Sequence, residues 1–184
     1  MSQETIKEII DRHLRKWADL QLNKLPTQIE AEMADPNQEE GEEWRTWNPI
    51  KSKVTDEDIK DFEEHIGYKL PDSYKVFLKH KHFYELQISE VSFCSHPVNL
   101  WRSKQTDRIF DGYPREFLID KGYLPFADWS DWGLLCFDTN RHTGDFNYPI
   151  VLWDHEIAYE VKDEYDDFLD MLTKIDIEST KNNS

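Results

Sequence analysis

Cysteine is almost missing from this chain: Cys94 and Cys136 are the only two in 184 residues. They lie too far apart for a Cys-x-x-Cys pattern, so neither a disulfide framework nor a cysteine-built zinc site is expected. Glycine is scarce too, with six in all. No Gly-x-Gly-x-x-Gly, P-loop or Gly-x-Ser-x-Gly pattern occurs, which removes the usual phosphate cradles and the nucleophile elbow. No apolar run approaches the ~20 residues that span a bilayer. The opening MSQETIKEIIDRHLRKW interleaves acids where a secretion signal needs unbroken apolar sequence. A cytoplasmic, reduced protein is expected. Positive charge is short as well: 22 Lys/Arg face 38 Asp/Glu, for a net charge of −16. Such a surface repels nucleic acid and anionic membranes and attracts basic partners, although acids also serve simply to keep a protein soluble.

What the chain does have is rings. Seven Trp, eight Tyr and ten Phe make 14% of the sequence. Each buries a large area, so one domain of this length can build a real core despite its polar average. The acid is unevenly spread: residues 154–178 hold ten acids against two lysines, half of the whole excess.

The hydrophobic period changes along the chain. Ile6, Ile9, Ile10, Leu14, Trp17 and Leu20 recur at helical spacing, and Thr5 with Glu8 suits a capping box, predicting a helix over 5–22. Residues 26–53, with three prolines and a dense acid run, read as a connector anchored by Trp44 and Trp47. Thr55 caps a second helix with Ile59, Phe62 and Ile66 on one face, and Gly67 stops it. Pro71 starts a third, carrying Tyr74, Phe77 and Leu78. His80 and His82, among lysines, read as cations at its C-terminal end.

From Leu86 onward the pattern alternates. Strands are expected at Leu86–Ile88, Val91–Phe93, YLPFA, WGLLCF, YPIVLW and EIAYEV, with a short helix somewhere in 98–110. A closing helix, capped by Asp163, is expected to carry Tyr165, Phe168, Leu169, Leu172 and Ile175. Helices, then strands, then a helix make the class α+β, with a mostly antiparallel mixed sheet flanked by helices.

PFADWSDWGLLCFDTN, residues 125–140, concentrates the chemistry. Read as a calcium loop from Asp128, it would need an oxygen ligand where Trp132 stands and a bidentate carboxylate where Thr139 stands, so that motif fails. Cys136 sits inside WGLLCF and reads as a buried hydrophobe. His142, Asp145, Asp154, His155 and Glu156 lie in turns near strand ends, where acid–base or metal chemistry is conceivable, yet turn geometry alone calls for such residues. No catalytic residue, metal site or cofactor is assigned. The acids and tryptophans are instead available to a protein partner. Asp128, Trp129, Asp131, Trp132, Asp154 and Glu156 are the candidate partner-binding residues, one tryptophan acting as apolar anchor.

Taken in order, these motifs resemble the SUKH superfamily. VTDEDIKDFEEHIGYKLPDSYKVFLKHK, residues 54–81, is similar to its N-terminal hallmark, with Glu63, Gly67, Leu70, Pro71, Tyr74, Phe77 and Leu78 at the matching places. LPFADWSDWGLLCFDTN resembles its strand, acidic turn and Cys-x-Asp strand end. YPIVLWDHE resembles its Trp-Asp-His strand, and YDDFLDML its last helix, with Tyr165 replacing a Phe. KHKHFYEL stands where the family usually turns through Asn-Gly-Gly. The resemblance covers about residues 44–175 and implies a SUKH-like sheet flanked by helices in a protein that is not an enzyme.

It further implies one of two roles: an immunity protein that binds and neutralises a bacterial toxin, often a nuclease, or a regulatory scaffold of cell-wall synthesis. The chain lacks the long flanks of a scaffold, and its acidity suits a basic toxin domain, so immunity is the expectation; a metal-dependent hydrolase ranks last. Residues 1–43 form an amphipathic helix and acidic connector, 44–178 the SUKH-like domain and 179–184 a tail.

Overall fold

The computed structural model describes residues 2–39, 41–141, 147–155, 157 and 160–181. Helix α1 (Ser2–Asp19) is followed by the short strand β1 (Lys24–Leu25), then β2 (Arg45–Thr46), β3 (Ile50–Lys51), α2 (Asp56–Ile66), α3 (Asp72–Leu78) and β4 (Lys81–His82). Next come β5 (Gln87–Ile88), β6 (Val91–Phe93), α4 (Trp101–Phe110) and two 3-10 turns at Arg115–Phe117 and Ile119–Lys121. Strands β7 (Tyr123–Trp129), β8 (Gly133–Asp138), β9 (Ile150–Asp154) and β10 (Val161–Tyr165) lead to α5 (Phe168–Lys181). The class is α+β, as the pattern predicted.

Six strands form one sheet in the order β10-β9-β8-β7-β6-β5, and each neighbouring pair is antiparallel. It is a meander, so its turns fall alternately at its two ends. Side chains alternate across it. Leu135 and Phe137 of β8, with Ile150 and Leu152 of β9, face the core built with α1, α2, α3 and α5. Leu134, Cys136, Val151 and Trp153 point the other way, under Leu118 and the half-buried Tyr113. A bulge between Pro125 and Ala127 lets both Phe126 and Ala127 face the main core.

Helix α2 forms where the sequence placed it. Thr55 Oγ accepts the Asp58 N–H at 3.1 Å, the Asp58 carboxylate accepts the Thr55 N–H at 2.8 Å, and Gly67 ends the helix at φ 77°. Glu63 is buried yet charged. Burial opposes its ionisation, but Lys69 at 2.7 Å, the Leu70 N–H at 2.9 Å and Lys75 at 3.0 Å outweigh that and hold its pKa below the usual range. This carboxylate fastens the turn between α2 and α3.

Several expectations need correction. Helix α1 begins at Ser2, so Thr5 lies inside it rather than at its cap, and it ends before Leu20. Within and beside the connector, β1 pairs with β2 and Ala34 bridges Trp47, but its two tryptophans differ. Trp47 is fully buried, but Trp44 is exposed and anchors nothing in the core. The last helix starts at Phe168, because residues 161–165 pair with β9 as a strand. Asp163 therefore binds Arg141, and Asp167 caps the helix by accepting the N–H groups of Leu169 and Asp170 at 2.8 and 2.9 Å.

His82 is no cation at a helix end. It lies buried on β4, its ring stacked on that of His96 with centroids 4.9 Å apart. His82 Nδ1–H donates to the His96 carbonyl at 3.0 Å, while its Nε2 accepts the Lys53 N–H at 3.0 Å. His96 Nε2–H donates to the Leu78 carbonyl at 2.8 Å. Both rings are thus held neutral, and burial pushes His96 down to about 3. Unfolded, it titrates near 6.5, so below that pH the unfolded chain gains a proton that the folded one refuses. Stability is complete above this pH and declines as pH falls toward 3. Between pH 7 and pH 5, His96 alone should remove about 2 kcal/mol. Denaturation at both pH values checks this, as does an NMR titration in which the His96 ring shift stays flat down to pH 4; a ring titrating near 6.5 would contradict it.

Candidate functional site

Three turns meet at one end of the sheet: Ser89–Glu90 between β5 and β6, Ser130–Trp132 between β7 and β8, and the segment after Asp154 between β9 and β10. They are tied together by backbone bonds. Ser130 N–H donates to the Glu90 carbonyl at 2.7 Å, and His155 N–H to the Trp132 carbonyl at 3.3 Å. Ser89 and Ser130 take left-handed conformations at φ 52° and 50°, which turn the chain tightly. Gly133 stands where the β7–β8 turn re-enters the sheet; a Cβ there would lie 2.8 Å from Leu152 Cδ1 and force that side chain to shift.

This end gathers four of the sequence-predicted residues. Trp129 and Trp132 are half-buried, each leaning on the main core, and the Trp129 ring centroid lies 6.2 Å from that of Tyr165. Each ring keeps part of its surface for another molecule while being held from behind, the arrangement that makes a rigid apolar anchor. Asp131 is exposed at the tip. Asp154 pairs with Gly133 across the sheet, and its carboxylate accepts the Ile157 N–H at 3.3 Å. Glu90 and Glu160 add exposed acid. Glu156, His142 and Asp145 lie outside the described residues.

Asp128 is elsewhere. It is not in the turn but on β7, pointing to the second face of the sheet, where Arg108 of α4 clasps it through two bonds of 2.7 and 2.8 Å. The Tyr113 hydroxyl donates a third at 3.3 Å. Its carboxylate is committed within the fold. Cys136 lies on the same face, fully buried, and burial pushes its thiol well above the usual range; Cys94 is raised for the same reason. Neither thiol is prepared for nucleophilic work. Among the described residues, no three His, Cys, Asp or Glu side chains converge as a metal would require, and no helix is long and apolar enough to cross a membrane.

Sequence reasoning missed the apolar part of this end. Leu20 fits the apolar period of α1, but the helix stops at Asp19, leaving Leu20 58% and Leu22 49% exposed beside Trp17, Gln87 and Ser89. Ile157, 50% exposed, follows β9 at the same end. Half of the large hydrophobic side chains left exposed among the described residues therefore sit here, amid acids. The signal that could have found Leu20 and Leu22 is the polar QLNKLP following the helix, which offers nothing to cover them.

No curated protein matches the chain. The SMI1 / KNR4 family (SUKH-1) matches residues 53–174, from the residues before the Thr55 cap to the middle of α5 and across all six strands of the sheet, and by that match this chain belongs to the family.

Proposed function

We propose that this protein is a non-enzymatic immunity protein that binds a cognate toxin and neutralises it by covering a basic surface, such as a nuclease uses to hold phosphate. The observation that carries this reading is the hairpin end itself: two half-buried tryptophans and exposed aliphatics, rimmed by Glu90, Asp131, Asp154 and Glu160. A protein interface has that anatomy, with a desolvated apolar centre and a charged rim. A nuclease needs Lys and Arg to grip a polyanion, and an acidic inhibitor competes for the same groups. Family membership supports a binding role, and the buried, raised thiols offer no nucleophile. Acids on α5, such as Asp170, add long-range attraction rather than contact energy.

The contacts are assigned to Trp129, Asp131, Trp132 and Asp154, and Glu156 is proposed with them from its place in the sequence; Asp128, held by Arg108, is not among them. Rim charges govern how fast partners meet, and buried anchors govern how long they stay. Association with the toxin should therefore slow by about tenfold or more as salt rises from dilute to half-molar. Trp132→Ala should chiefly speed dissociation. Surface-bound kinetics across a salt series test both; an association rate indifferent to salt would sink the electrostatic part.

A further inference from the structure

A second surface lies at the opposite end of the β5–β6 hairpin. Glu85 precedes β5 and Ser95 follows β6, and between them and α1's outgoing chain runs an open groove of about 600 Å³. One wall is Leu25 and Ile29 from the N-terminal segment; the other is Tyr84, Glu85, Leu100 and Lys104. The first wall lies outside residues 53–174, so this groove is built by what the chain adds to its family domain.

The added wall is pinned in place. Glu30 N–H donates to the Tyr84 hydroxyl at 2.8 Å, and both Glu30 carboxylate oxygens accept the Asn99 N–H at 3.1 Å. Behind it, Asn23 Nδ2 donates to the Trp47 carbonyl at 2.6 Å. The groove is therefore preformed, and a ligand entering it spends little free energy on ordering the wall.

Two features inside it lack a counterpart. Leu100 stands 47% exposed at the head of α4. Glu85 is half-buried, has no hydrogen-bond or ion-pair partner among the described residues, and forms no ion pair with Lys104. Burial raises its pKa, because the carboxylate is partly withdrawn from water without gaining a protein partner in exchange. A cation brought beside it from outside recovers that loss, while apolar atoms next to the cation cover Leu100.

We propose that this groove binds an extended segment of a protein partner, placing a Lys or Arg side chain against Glu85 and an adjacent apolar side chain on Leu100. It is a second contact surface, separate from the hairpin end. A basic partner supplies such segments readily, and the chain's net charge of −16 draws one toward the surface.

The test is selection of a displayed library of random peptides on the full-length protein, followed by affinity measurement with synthesised representatives. Enriched peptides should share a Lys or Arg flanked by apolar residues. Their binding should weaken about tenfold on Glu85→Gln and on Leu100→Ser, both exposed enough to leave the fold intact. Asp131→Asn, at the hairpin end, should leave it unchanged, so the outcome does not depend on the toxin reading. No enrichment over a blank surface, enrichment of peptides without a basic residue, or equal affinity for the wild type and Glu85→Gln would each overturn the proposal.

Discussion

Replacing Phe77 by alanine should lower the unfolding free energy by about 3–5 kcal/mol. The ring is 1% exposed and sits where α3 meets the sheet. It stacks on Tyr74 with centroids 5.5 Å apart, and meets Phe83 at 5.8 Å, Phe93 at 5.0 Å and Phe168 at 5.4 Å. These neighbours come from α3, β6, α5 and the residue after β4, so no single element can shift to fill the cavity. Close aromatic pairs add to the loss beyond the area term. Against a total of about 5–15 kcal/mol for a typical domain, this is a large share. Equilibrium denaturation measures it, and an unchanged midpoint would show that Phe77 does not occupy that centre.

Asp128→Ala should cost about 3 kcal/mol, the lower end of the range for breaking a buried ion pair. The Arg108 side chain is 16% exposed and Asp128 29%, so solvent still softens the field around the carboxylate. Without it, the guanidinium loses both of its 2.7 and 2.8 Å bonds while its Nε already lacks a partner. The cost is an abandoned charge rather than a lost attraction. Replacing both residues, as Arg108→Met with Asp128→Leu, should therefore recover most of the stability. A double-mutant cycle reads the coupling directly; additive losses would mean the two groups are not joined.

The elements legible in the sequence were those whose signals are local. Thr55, Asp58 and Gly67 bracket α2 through contacts a few residues apart, and Leu134 to Phe137 read as a strand because both faces of β8 are covered. Tyr165 defeated the pattern: it is buried as the last residue of β10, yet its spacing to Phe168 and Leu172 also fits one helical face. Only the pairing of 161–165 with β9 decides between them, and that is a tertiary fact. At the candidate site, Trp129, Asp131, Trp132 and Asp154 could be grouped because they flank neighbouring turns of one meander. Asp128 could not be separated from them, since Arg108 reaches it from a helix across the intervening loop. Glu85 and the N-terminal wall meet across 55 or more residues, and nothing near either one announces the other.

The most direct measure of the central claim is the growth of cells expressing the product of the neighbouring gene, which the account predicts to be a toxin. Co-expression of the wild-type protein should restore growth. Asp131→Lys combined with Trp132→Ala should abolish that rescue; because Trp132 leans on the core, some stability is lost with it, so a cooperative denaturation transition above the growth temperature verifies that the doubly substituted protein is folded. No rescue by the wild type, or full rescue by the doubly substituted but folded protein, would contradict the account and leave a regulatory scaffold as the better reading.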